Sequence, residues 1–172
     1  MTKLKYDQLA SKDIRDFIWY YLKLGGFFDE NDYIADGFDI PLVPIIPSQQ
    51  VPEFNNLLPG KPYIYYEFEV LPSKENWWIT EEMMTLYIVS SDYDFINRVN
   101  NFLLDLMRKY DRTARRINEY FKEANSFKFY YVRIESIQSP LPFESEGGLL
   151  GGVLELNYSY SRITDRDWNF FF

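Results

Sequence analysis

Apolar residues recur every three or four positions between Ser11 and Leu24. Ile14, Phe17, Ile18, Tyr21 and Leu22 fall on one face at helical spacing. Ser11 offers a cap and Gly25-Gly26 a stop, so the spacing predicts a helix over 11–24. From Tyr63 to Leu71 the period changes to two. Tyr63, Tyr65, Glu67 and Glu69 take one side, and Ile64, Tyr66, Phe68 and Val70 the other, which predicts a strand. A Pro-Ser-Lys-Glu-Asn turn at 72–76 leads to a second predicted strand, Trp77 to Ser90. Ser91 and Asp94 then resemble a capping box that starts a helix running to about Tyr110. Its apolar face is Phe95, Ile96, Val99, Phe102, Leu103, Leu106, Met107 and Tyr110, the clearest periodic signal in the chain. A further helix is predicted from Thr113 to Ala124. Strands follow at Phe127 to Gln138 and at Val153 to Arg162. In the last, Leu154, Leu156, Tyr158 and Tyr160 alternate with polar residues, as expected for a sheet with one wet face.

Residues 27–62 fit neither period. Their first part is acidic, with Asp29, Glu30, Asp32, Asp36 and Asp39, and their second holds six of the chain's 9 prolines. Proline removes a donor and fixes φ, so helix is excluded there and sheet disfavoured. Ile40, Leu42, Val43, Ile45, Ile46, Phe54, Leu57 and Leu58 make the stretch too apolar for disorder, which leaves a long, ordered, extended loop. The element order implies an α+β fold: a mainly antiparallel sheet of about four strands, with two or three helices on one face. A long Pro-rich N-terminal loop and an extended C-terminal tail complete it. The 172 residues suit a single domain, divided into an N-terminal helix and loop (1–61), an α+β core (62–162) and an aromatic tail (163–172).

Composition narrows the chemistry. The chain has no Cys and no His, which removes disulfides, zinc-thiolate sites, Cys nucleophiles and His general bases. A formal charge of −8 is a poor match to general nucleic-acid or anionic-membrane binding. No apolar run is long enough to span a bilayer, and the N-terminus lacks a signal-peptide core, so a cytosolic setting is expected. Aromatic residues make up 20% of the chain, with 4 Trp, 15 Tyr and 15 Phe. Such an excess suggests that part of the surface is interface. The candidate interface residues are Tyr63, Tyr65, Trp77, Trp78, Tyr158, Tyr160, Trp168, Phe170, Phe171 and Phe172, with Arg112, Arg115 and Arg116 from the basic run 108–116.

The remaining motifs are weak. Asp29, Asn31 and Tyr33 have the spacing of a calcium loop, but Ile34 replaces the required Gly and Ile40 the closing Glu. The pairs Glu67/Glu69 and Glu81/Glu82 are the available carboxylates for a hydrolase, and the wet face of a strand explains the first pair more simply. The glycines fit no phosphate-loop frame. No catalytic residue, metal or cofactor is assigned.

Read in order, the pieces resemble a known family. A Pro-rich apolar loop leads into Pro62-Tyr63-Ile64-Tyr65-Tyr66-Glu67-Phe68. Trp77-Trp78-Ile79 and Leu86-Tyr87-Ile88-Val89 follow, then Ser91-Asp92-Tyr93-Asp94 and a helix ending Leu104-Asp105-Leu106-Met107-Arg108. The last strand ends Tyr158-Ser159-Tyr160-Ser161-Arg162. Over roughly residues 40–162 this is similar to the tail-terminator (tail-completion) proteins of tailed bacteriophages. The resemblance implies a non-catalytic virion protein, assembled in the host cytoplasm as a homo-oligomeric ring, usually a hexamer. Such a ring caps the tail tube, joins the tail to the neck or connector and, in contractile tails, meets the sheath. DNA passes through the ring without specific binding, and no membrane is involved. Residues 11–61 and the tail 168–172 exceed minimal members and are candidates for contacts with neck or sheath. A head–tail connector or head-closure protein, and a carboxylate-dependent hydrolase, are the alternative readings.

Overall fold

A computed structural model of the chain describes residues 8–72, 78–108, 110–121, 127–142 and 148–162. Among these residues the fold is α+β, with four α-helices and one five-stranded mixed sheet. The helices are α1 (Ala10–Leu24), α2 (Val51–Leu57), α3 (Tyr93–Met107) and α4 (Tyr110–Tyr120). The strands are β1 (Ile45–Pro47), β2 (Tyr63–Pro72), β3 (Thr80–Ser90), β4 (Phe127–Pro142) and β5 (Leu150–Arg162), in the order β1-β2-β3-β5-β4. All pairings are antiparallel except β1 with β2.

The sheet register builds the core. Tyr66, Leu86 and Leu154 form one row across the sheet, and Phe68, Met84 and Leu156 the next. Leu86, Met84, Leu154 and Leu156 are fully buried. On this face α3 lies so close to β5 that a Cβ on Gly152 would sit 2.5 Å from Ile96 Cγ2. Glycine at 152 is therefore a packing requirement, since the sheet could not otherwise accept the helix at that distance. α4 lies over β4, where a bulge between Phe129 and Tyr131 interrupts the ladder. The Asn118 amide serves the Phe129 backbone there, donating to its carbonyl and accepting from its N–H, both at 2.9 Å. α1 packs beside α4, with Phe17 edge-on to Tyr120.

Residues 27–62 correct the expectation of an extended loop. They hold a 3₁₀ turn (Glu30–Tyr33), β1, a second 3₁₀ turn (Ser48–Gln50) and α2, which raises the strand count to five and the helix count to four. The prolines permit this by position. Pro52 stands in the first turn of α2, where its missing N–H is not needed, and Pro47 ends an edge strand. The start of α3 also differs. Its cap is Asp92, whose carboxylate accepts from the Asp94 N–H at 2.9 Å, and not Ser91. α3 ends at Met107, short of Tyr110, which begins α4. Of the second strand as predicted, Trp77 lies outside the described residues.

Candidate interaction surfaces

Three of the aromatic candidates are spent inside the chain. Tyr63, Tyr158 and Tyr160 are buried, at 1%, 0% and 7% exposure, so as placed they are core residues and not surface contacts. Tyr63 packs on Phe54 and receives a hydrogen bond from the Asn55 amide at 3.5 Å. Alternation had placed Tyr158 and Tyr160 on the inward face of β5, and that inward role is the one they fill. Trp77, Trp168, Phe170, Phe171 and Phe172 lie outside the described residues.

Tyr158 and Tyr160 serve a buried acid that periodicity alone could have flagged. Glu82 stands in phase with Met84, Leu86 and Ile88, on the apolar face of β3, and is 2% exposed. Tyr158 donates to Oε1, and Tyr160 to Oε2 at 2.9 Å. Both carboxylate oxygens are thus satisfied, which makes burial of the acid tolerable. Burial still pushes the Glu82 carboxyl up, while the two phenols and the charge of Arg162 pull it partly back. The phenols are in turn pushed far up, first by burial and then by Glu82. The arrangement anchors β3 to β5.

Tyr65 and Trp78 keep accessible surface. Tyr65 stands on the opposite sheet face, stacked on Tyr87 with ring centroids 4.5 Å apart and planes 9° from parallel. Burial, aided by Tyr87, Tyr63 and Glu67, pushes the Tyr65 phenol up to about 12. Trp78 is half exposed at the start of β3. A separate feature is an open sheet edge. β1 covers β2 only at Ile64, Tyr65 and Tyr66, so among the described residues 67–72 have no strand on that side. Phe68, Val70 and Leu71 are exposed along this edge.

Charged groups form two further surfaces. Arg112, Arg115 and Arg116 are exposed on α4, and none has an ion-pair partner among the described residues. Arg112 and Arg116, with Arg108, Thr113, Asp105 and Leu106, line a cavity of about 260 Å³ at the α3–α4 junction. Among the described residues only Arg108 meets a carboxylate there, Asp105 at 2.9 Å. The acidic segment is an ordered loop. Asp29 accepts from the Asn31 N–H, and Glu30 pairs with Lys23 at 2.6 Å. Residues 33–42 then close on themselves, with the Leu42 N–H donating to the Tyr33 carbonyl at 2.8 Å. At the tip the Phe38 N–H donates to the Ala35 carbonyl at 3.0 Å, and Gly37 has φ +84°, as a type II turn requires. Asp36, Phe38, Asp39 and Ile40 project into solvent.

The candidate carboxylate pairs lie on strand faces. Glu67 and Glu69 are exposed neighbours on one face of β2, and Glu81 lies on the opposite side of β3 from Glu82. Among the described residues no group of three acids is placed to hold a metal, and no helix is long and apolar enough to cross a membrane. The sequence matches no protein-family model and no curated protein.

Proposed function

We propose that this chain is a non-catalytic, ring-forming subunit of a tailed-phage virion, acting as a tail terminator at the junction of tail tube and neck. One observation carries the reading. Apolar side chains stay uncovered at two separate places on one subunit: Phe38 and Ile40 on the loop 33–42, and Phe68, Val70 and Leu71 on the open edge of β2. A subunit that meets a ring neighbour and also a tube or neck needs more than one contact patch. Exposed apolar clusters of this kind mark contact surfaces. The α-β-β-α-α-β-β order of the main elements supports the same reading through the family it resembles. So does the net negative charge, which suits a conduit that must let DNA slide.

Light scattering on the purified chain, with and without purified tail tubes, tests the proposal. A hexameric mass is expected, alone or on the tube end, together with arrest of tube growth. A monomer at every concentration, with no binding to tubes, would overturn it. The position of the ring in a virion density map separates a terminator from a connector or head-closure protein.

A further inference from the structure

We infer that the loop 33–42 of one copy docks into the arginine cavity at the α3–α4 junction of the next, an interface that rests on the ring reading above. The two surfaces complement each other in charge and in shape. The loop presents Asp36 and Asp39 beside Phe38 and Ile40, all exposed, and neither acid at its tip is paired among the described residues. The cavity offers Arg112 and Arg116, unpaired among the described residues, with Leu106 and Thr113 in its wall.

Arg112 and Arg116 are one helical turn apart, so their like charges repel and destabilise α4 in the isolated subunit. Among the described residues no acid pairs with either of them. An anionic group from outside the protomer relieves the repulsion. Guanidinium groups take carboxylates in a forked geometry and also pack on aromatic faces, which suits Asp36 and Asp39 flanking Phe38.

The base of the loop is anchored away from the cavity of its own subunit. It rests through Phe28 on Phe95, in the first turn of α3, with ring centroids 5.6 Å apart. The cavity lies at the other end, from the last turn of α3 at Asp105 to Arg108. At about 1.5 Å per residue the helix separates them by roughly 20 Å. That exceeds the screening length of about 8 Å at physiological ionic strength, so the two patches do not neutralise each other within a protomer. Patches of opposite sign at two ends of one subunit generate a head-to-tail contact. The loop is also held in shape by its own backbone bonds, so docking loses little conformational entropy.

Two charge-reversed variants test the interface: Arg112→Glu with Arg116→Glu, and Asp36→Lys with Asp39→Lys. All four positions are exposed, and thermal melts check that both variants fold. Sedimentation should show each variant alone assembling at least about tenfold less readily than the parent chain. An equimolar mixture should recover the ring, because each reversed surface then meets a reversed partner and the copies alternate. If the parent chain assembles and both variants assemble equally well, the docking is overturned and the ring reading stands. If both variants are monomeric and the mixture does not recover, the two surfaces do not meet and the docking is overturned. Retained assembly of the arginine variant with loss of binding to duplex DNA would assign the cavity to phosphates and overturn it too. A parent chain that never assembles and never binds tubes removes the ring reading itself.

Discussion

The Tyr160 hydroxyl donates to Glu82 Oε2 at 2.9 Å, joining β5 to β3 through a carboxyl group that is almost wholly buried. The consequence is a definite pH dependence. Burial raises the Glu82 carboxyl above its unfolded value of 4.5, so the folded state holds that proton more tightly than the unfolded state does. The stability from this group is fully present below the unfolded value and is lost as pH rises through the folded one. Asp13 acts in the same sense. Burial and the neighbouring Asp16 push it up from 3.8 to about 6, so its contribution fades across that interval. Melting temperature should therefore be higher near about pH 5 than near about pH 7.5. Glu82→Gln can still accept from one phenol and donate to the other, and should flatten that slope. An unchanged slope in the variant would show that Glu82 does not contribute.

Gly152 and Ile96 supply a packing test. A methyl group at 152 meets Ile96 Cγ2 at 2.5 Å, and a β-branched side chain on a helix has little freedom to turn away. Gly152→Ala should cost about 1–3 kcal/mol in chemical denaturation. Combining it with Ile96→Ala should cost less than the sum of the two single changes, because the second removes the obstructing methyl. Strict additivity would contradict the assigned contact.

The start of α3 separates two neighbouring residues. Asp92→Ala removes the side chain that accepts from the Asp94 N–H and should destabilise the fold by about 1 kcal/mol. Ser91→Ala should leave stability within about 0.5 kcal/mol. Equal losses in the two variants would show that capping is shared.

The stacked pair on the outer sheet face can be measured directly. A double-mutant cycle of Tyr65→Ala and Tyr87→Ala should yield a coupling of about 0.5–1.5 kcal/mol, as expected of aromatic rings in contact. Zero coupling would mean that the rings do not stack in solution.

Much of the fold was legible along the chain. α1 and α3 declared themselves because one apolar stripe at helical spacing has one economical burial. β2 and β5 did so because a two-residue period admits one inward face. The inward placement of Tyr158 and Tyr160 was read correctly from that period, and their parallel assignment to an interface was not compatible with it. Glu82 was legible in principle, as an acid in phase with Met84 and Leu86, but its two phenol partners lie on another strand. Residues 27–62 escape a reading by composition because the cost of proline depends on its position and not on its number. Pro52 in a first turn and Pro47 at the end of an edge strand cost nothing there.

By itself, the sequence determined which residues form the main helices and strands, and it removed thiol and imidazole chemistry. Those are consequences of local periodicity and of residue type. Only the tertiary structure decided which aromatics are core and which are surface, that Gly152 stands under Ile96, and that Phe28, packed on Tyr33 at the base of the loop, and the arginine cavity lie at opposite ends of α3. Each of these depends on residues far apart in the chain, whose meeting is set by sheet register and helix packing and by no local preference.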